Sequence, residues 1–344
     1  MSKENTQILF SKRPIGIFDP KETFTIVKTP IPTLGDLKDG QILVKIYYLS
    51  LDPAMRGWMN TTRSYIKPVE INEVMRGQAV GEIVLSKNPK LKVGDKVQGL
   101  LGWQEYAIID GQDVRKITPL PGASIRDYVG IFGGTGMTAY FGLLDGKPKP
   151  GDTVVVSGAA GATGSIVGQI AKIKGARVIG IAGSEDKCKW LLNLGFDVAL
   201  NYRDPKFAEK LAKATPNYID IYFDNVGGDI LDHCLKRIAK NGRIVLCGAI
   251  SQYNEKQPKG PAFYTALITQ RAKMEGFIIF DYAQKFPIAI KDMSKWLQEG
   301  KIKRREFIID GLENAPNGLL KLFNGFNTGK MLVKVNDENV KSKL

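Results

Sequence analysis

The segment Val154–Ala176, VVVSGAAGATGSIVGQIAKIKGA, decides the fold class. The β-branched run from Thr153 to Ser157 reads as a strand buried on both faces. It leads into Gly158-x-x-Gly161-x-x-Gly164, and a helical pattern follows at once, over about Ala162–Lys174, closed by Gly175. Glycines in such a turn serve a tight bend, close approach of backbone to a diphosphate, and helix–strand packing. The amides around Gly161, Ala162, Thr163 and Gly164 would then face an anion at the positive end of the helix dipole. A Gly-rich turn by itself is a common tight turn. Here strand, turn, helix and second strand follow in order over about 30 residues, which is the context that makes it a dinucleotide site. It is not a P-loop, since Gly142–Pro148 and Gly325–Met331 lack both the spacing and the final Ser or Thr.

Outward from that turn the alternation continues. Arg177–Ala182 reads as a strand, Glu185–Leu194 as a helix before Gly195, and Val198–Asn201 as a short strand. Ile219–Asp224 and Arg243–Cys247 add strands, with a helix over Asp229–Ala239 between them. Strands alternating with helices of this length specify right-handed βαβ units and a parallel, doubly wound α/β sheet. Residues 1–125 differ: Ile42–Leu51, Ala79–Leu85 and Val97–Ile109 are apolar stretches split by turn signals such as Lys38-Asp39-Gly40. They predict a small β-barrel. Residues 305–344 revert to strand, helix (about Asn317–Phe323) and strand, and are expected to rejoin that barrel. The domain reading is therefore 1–125 with 305–344, and 126–304 for nucleotide, in line with a prior of ~150 residues per domain.

The end of the second strand selects the dinucleotide. An NAD site wants an acid there for the ribose 2′-hydroxyl, whereas a 2′-phosphate wants positive charge and hydroxyls. The sequence offers Gly183-Ser184-Glu185-Asp186-Lys187. Ser184 and Lys187 favour NADP, while Glu185 and Asp186 fit ordinary dipole partners of a helix start. A plain surface lysine at 187 would read the same way.

Composition narrows the chemistry further. The 344 residues hold three cysteines and one histidine, so a HExxH site is excluded and no CxxC pair exists. No metal site is expected from Cys188, Cys234, Cys247 and His233. Unpatterned cysteines also fit a reducing compartment. No apolar run approaches the ~20 residues of a membrane span, and the N-terminus lacks a signal-peptide core. The chain reads Ser342-Lys343-Leu344 at its end, a peroxisomal address if the source is eukaryotic; otherwise a cytoplasmic location is expected. The formal net charge of +14 raises nucleic acid as a partner. The basic residues are spread out, and the one dense run, Lys301-Ile-Lys-Arg-Arg305, has no interleaved aromatics, so nucleic-acid binding is not expected.

Several longer markers accumulate: Leu49-Ser-Leu-Asp-Pro-Ala-Met-Arg-Gly57, Gly133-Gly-Thr-Gly-Met-Thr-Ala-Tyr140, Phe223-Asp-Asn-Val-Gly-Gly228, Cys247-Gly-Ala-Ile-Ser-Gln-Tyr253, Glu275-Gly-Phe277 and Asn327-Thr-Gly-Lys330. With the glycine turn, they make the chain resemble, over nearly its whole length, the zinc-independent medium-chain dehydrogenase/reductases of the prostaglandin/leukotriene reductase group, which includes alkenal double-bond and curcumin reductases. That resemblance implies a GroES-like substrate domain and a Rossmann domain with NADPH in the cleft, usually in a homodimer. It implies hydride transfer to the β-carbon of a small apolar α,β-unsaturated aldehyde or ketone.

By the same resemblance, Gly161–Gly164 meets the diphosphate, and Lys187, Tyr202 and Ser184 bind the 2′-phosphate end. Asn225, the loop Cys247, Gly248, Ala249, Ile250, Ser251 to Tyr253, then Phe277, Ile278, Ile279 and Asn327 flank the ribose and nicotinamide, with Thr138 near the carboxamide. The chain departs from the pattern at Ala54, where many relatives carry a tyrosine facing substrate. Conjugate reduction asks mainly for positioning and for a donor aimed at the developing enolate oxygen. Tyr253 is the candidate donor, with a cofactor ribose hydroxyl as an equal contender and water as the source of the α-carbon proton. Trp58, Trp103, Tyr65 and Tyr106 are candidates for a substrate wall, with core packing the better reading for at least two. His233 reads as a packing or surface residue. A quinone reductase on the same fold is the rival enzyme reading.

Overall fold

The computed structural model describes residues 4–338, so Ser342-Lys343-Leu344 lies outside the described residues. The chain divides into two compact units. The described residues up to 130, those of 306–326 and those from 331 onward form one, and residues 131–305 with 327–330 form the other.

The first unit is β-rich. Strands β1 (Glu4–Phe10) and β2 (Phe24–Pro30) pair antiparallel in a two-stranded sheet, joined through a one-turn helix α1 (Pro20–Thr23). Strand β3 (Gln41–Ser50) is almost wholly buried and pairs antiparallel with β4 (Ala79–Ser86). A short helix α2 (Met55–Trp58) lies between them in sequence. Beyond β4 come β5 (Lys96–Gly99), β6 (Tyr106–Asp110) on β3, and β7 (Val114–Lys116) on β5.

The expectation of one apolar strand over Val97–Ile109 is corrected here. The chain leaves the sheet after Gly99 because Trp103 is drawn into the core. It is fully buried, stacks on Phe24 at 5.1 Å, and its carbonyl accepts the Ile8 amide. Core side chains such as Ile8, Phe10, Ile46, Leu49 and Met75 surround it, each contributing roughly 1.5–3 kcal/mol by leaving water.

The second unit opens with helix α3 (Gly134–Asp145) and then winds its sheet. The order is β8 (Thr153–Val156), α4 (Ala162–Ile173), β9 (Arg177–Ala182), α5 (Glu185–Asn193), β10 (Val198–Asn201), α6 (Phe207–Ala214) and β11 (Ile219–Asp224). It continues through α7 (Gly228–Leu235), β12 (Ile238–Leu246), α8 (Ala266–Gln270), β13 (Lys273–Gly276) and α9 (Phe286–Gln298). The six strands pair in the order β10-β9-β8-β11-β12-β13, all parallel. Strand order reverses on either side of β8, and a ligand crevice opens at such a switch point outside the carboxyl ends of the strands.

The helix predicted over Asp229–Ala239 is shorter than expected. It ends at Leu235 because Ile238 already pairs with Ile219 as the first residue of β12, so Ile238 and Ala239 belong to the sheet. The chain then returns to the first unit with β14 (Glu306–Asp310) and α10 (Ala315–Phe323). Strand β15 (Lys330–Lys334) pairs antiparallel with β3 through Leu332–Lys334. Among the described residues, no helix is long and apolar enough to cross a membrane.

Candidate functional site

Nearly every residue singled out by the sequence stands just past the carboxyl end of a strand of the second unit. Gly158–Gly164 follows β8, Ser184 and Lys187 follow β9, and Tyr202 follows β10. Asn225 follows β11, Cys247–Tyr253 follows β12, and Phe277–Ile279 follows β13. Parallel pairing, not sequence proximity, brings these loops to one edge.

The glycine turn is built tightly. A Cβ on Gly164 would stand 2.5 Å from the Gly158 carbonyl oxygen and 2.8 Å from the Ala159 Cα, so only glycine lets α4 start this close to the strand. No side chain caps α4, whereas Ser184 Oγ caps α5 by accepting the Lys187 amide at 3.3 Å. The first-turn amides of α4 therefore keep the character of an anion cradle, with the dipole adding to it. Asn327–Lys330 completes this edge. The Gly329 amide donates to the Ala160 carbonyl at 2.8 Å, Gly161 and Gly329 form a parallel bridge, and Asn327 Nδ2 donates to the Gly329 carbonyl at 2.7 Å.

At the far end of the cradle, Lys187 is half-buried on α5. Burial lowers its pKa, and the Arg203 charge lowers it further. The Tyr202 ring rests against Gly183, where a methyl on the α-carbon would stand 3.0 Å from the ring Cε1, and Arg203 lies over that ring at 5.8 Å. Two cations and two hydroxyl-bearing side chains, Ser184 and Tyr202, thus gather at the end of the second strand. Such a set of cations and hydroxyls has the chemistry to bind an anion, and Arg203 is a member that the sequence pattern did not single out. Its only signal was adjacency to Tyr202.

Between β8, β11 and β12 the loops are knotted together. Asp224 Oδ1 accepts Ser157 Oγ at 2.8 Å, the Tyr222 hydroxyl at 2.7 Å, and the Val226 and Gly227 amides at 2.9 and 3.0 Å. Asn225 Nδ2 donates to the Ser157 carbonyl at 2.7 Å, and its amide to Ser157 Oγ at 2.9 Å. Ser251 Oγ donates to the Val226 carbonyl at 2.6 Å. The Ala249 amide donates to the Tyr253 hydroxyl at 3.1 Å, which seats that hydroxyl inside its own loop.

Other side chains are placed differently. Thr138 lies on α3 and its hydroxyl donates to the Gly134 carbonyl at 2.7 Å. Phe277 packs into α3, where a Cβ on Gly142 would meet its Cζ at 2.2 Å. His233 sets its ring edge-on to Phe207 at 5.5 Å. Of the four aromatic candidates in the first unit, Trp103 is core, while Trp58 Nε1 donates to the Tyr65 hydroxyl at 3.0 Å. Among the described residues no three His, Cys, Asp or Glu side chains cluster as metal ligands.

Two family models match the chain, one described as the N-terminal domain of oxidoreductase over residues 6–117 and one as zinc-binding dehydrogenase over 162–295. The NADPH-dependent curcumin reductase of Escherichia coli is 42% identical over 341 residues, covering 97% of each chain. The chain belongs to the zinc-independent medium-chain dehydrogenase/reductases. Within that family, the NADP(+)-dependent 2-alkenal reductase of Nicotiana tabacum is also 42% identical, covering 97% of this chain and 98% of its own. A crystal structure of CurA from Vibrio vulnificus in complex with NADPH superposes with a TM-score of 0.90 at 45% identity, over 96% of this chain and 99% of that one. The fold is accordingly that of the family, a Rossmann sheet and a GroES-like β-domain.

Proposed function

We propose that this medium-chain reductase uses NADPH to reduce the α,β-carbon–carbon double bond of small, apolar unsaturated aldehydes and ketones. The observation that carries the reading is 42% identity, over nearly the whole chain, to a curcumin reductase and to a 2-alkenal reductase. The uncapped start of α4 and the basic end of β9 fit an NADPH cradle in the same unit.

NADPH, when bound, supplies the hydride that goes to the β-carbon. The chain's own residues have three tasks. The first turn of α4, from Gly161 to Gly164, orients the diphosphate. Lys187, Tyr202 and Ser184 hold the 2′-phosphate end and so select NADPH over NADH. Asn225, Cys247–Ser251, Phe277–Ile279, Asn327 and Thr138 fix the ribose and nicotinamide. As the β-carbon gains hydride, negative charge moves to the carbonyl oxygen, where the Tyr253 hydroxyl or a ribose hydroxyl donates. Water then delivers the proton to the α-carbon.

The proposal extends to a homodimer. Among the described residues strand β13 ends the sheet order with one edge unpaired, and Tyr264, Ile268 and Ile288 nearby in sequence are 57–73% exposed. An unpaired edge next to exposed apolar side chains favours association. Light scattering on the purified chain reads this directly; a monomer at micromolar concentration removes it.

The deciding experiment is NADPH oxidation against a panel of enals, enones and small quinones, with the reduced carbons located by NMR. Saturated carbonyl products are expected. Turnover of quinones alone would replace the reading with that of a quinone reductase.

A further inference from the structure

We infer that Asp224 is a positioning residue for the cofactor site, holding the loops after β8, β11 and β12 in one fixed arrangement; the inference rests on the NADPH reading above. Asp224, Ser157 and Tyr222 are all fully buried. One carboxylate oxygen of Asp224 takes every side-chain hydrogen bond: two hydroxyls and the two amides that open the Asn225–Gly228 turn. The other oxygen, Oδ2, is buried and takes no hydrogen bond from the described residues.

Here the carboxylate is turned so that everything converges on Oδ1. What the convergence secures is geometry. Ser157, at the mouth of the glycine turn, is clamped to Asp224 by its hydroxyl and to Asn225 by both its hydroxyl and its carbonyl. The Asp224 carbonyl accepts the amides of Cys247 and Gly248 at 2.9 and 3.1 Å. Three of the loops that would surround ribose and nicotinamide are therefore referenced to a single, fully buried residue. Charge matters as well as shape, since hydrogen bonds to a carboxylate are about twice as strong as those to a neutral oxygen.

The test compares the wild-type protein with Asp224→Asn, which keeps the shape and removes the charge, and with Ser157→Ala, which removes one donor and one acceptor. Each is measured for NADPH and NADH dissociation constants by fluorescence, for circular dichroism, and for the isotope effect with NADPH deuterated at C4. Expected is NADPH affinity about fivefold to twentyfold weaker in both variants and a shifted isotope effect. The NADPH-to-NADH preference stays unchanged, because Ser184, Lys187 and Tyr202 lie outside the knot. A wild-type protein that fails to bind NADPH overturns the proposed function and this inference with it. Wild-type binding with both variants within about twofold of it, isotope effect included, overturns this inference alone. If Asp224→Asn does not fold, Ser157→Ala decides by the same criteria.

Discussion

Gly168 and Phe196 are in direct contact: a methyl on the Gly168 α-carbon would stand 1.9 Å from the Cζ of the Phe196 ring. The ring is buried and leaves no room to retreat, since it also closes on Gly180. This contact brings α4 close to the chain that follows α5, and α4 carries the glycine turn at its start. Gly168→Ala is expected to cost about 1–3 kcal/mol by overpacking. In a Phe196→Leu background the same change costs less. Urea unfolding of the four proteins in this double-mutant cycle measures the difference.

The proposed role of Lys187 in cofactor choice carries a pH dependence. Lys187→Ala is expected to weaken NADPH binding about tenfold or more while leaving NADH unchanged. Because burial, with Arg203, lowers the lysine pKa below 10.5, NADPH affinity falls at a lower pH than an ordinary lysine would give. Stability runs the other way. Between the lowered folded value and the ordinary one, the unfolded chain binds the extra proton, so this group's contribution to stability rises with pH. Titrating Kd for NADPH and for NADH from neutral to alkaline pH separates the two; parallel curves would remove the assignment.

Tyr253 is tested by Tyr253→Phe. With the hydroxyl as the enolate donor, kcat falls about tenfold or more and KM for NADPH holds nearly constant. The Ala249 amide also loses its acceptor, which a small drop in Tm reports. An unchanged kcat assigns the donor role to the ribose hydroxyl instead.

Cys188 and Cys234, both buried, are predicted to be inert in the native state. Burial pushes the Cys188 thiol up to about 11, and burial with the Asp224 charge raises Cys234 well above its ordinary value. Neither is a thiolate at neutral pH, and both resist alkylation until the chain unfolds. Above the ordinary thiol value of 9.0 the unfolded chain ionises first, so these groups lower stability as pH rises from there towards 11. Mass spectrometry after iodoacetamide treatment, with and without urea, checks the first point.

The first four strands of the second unit are legible in the sequence, for a physical reason. Strands such as Arg177–Ala182, Val198–Asn201 and Ile219–Asp224 are short apolar runs with clear breaks, and their observed limits are those read from the pattern. Strand β13, Lys-Met-Glu-Gly, has one large apolar residue and no alternation. Only its register with Arg243–Leu246 makes it a strand. The site divides in the same way. The glycine turn and Lys187 announce themselves locally, whereas Asp224 reads as an ordinary acid at a strand end. Its role emerges only when β8 and β11 pair, setting Phe223 beside Val156 and Ser157 within reach of the carboxylate. Hydrogen bonds across 67 positions of sequence leave no periodic trace.

The pairing of Gly329 with the glycine turn has a consequence for how the protein is made. The stretch Asn327–Lys330 belongs to the second unit, yet it is separated in the chain from residue 305 by a segment of the first. During synthesis the α/β sheet emerges while this piece is still inside the ribosome. The backbone partner of Ala160 and Gly161 thus arrives about 170 residues late, well after their own strand and helix can form. A nascent chain stopped before that point is expected to hold a wound sheet and an unfinished nucleotide site, so maturation of the binding edge waits on translation rather than on folding of the sheet itself.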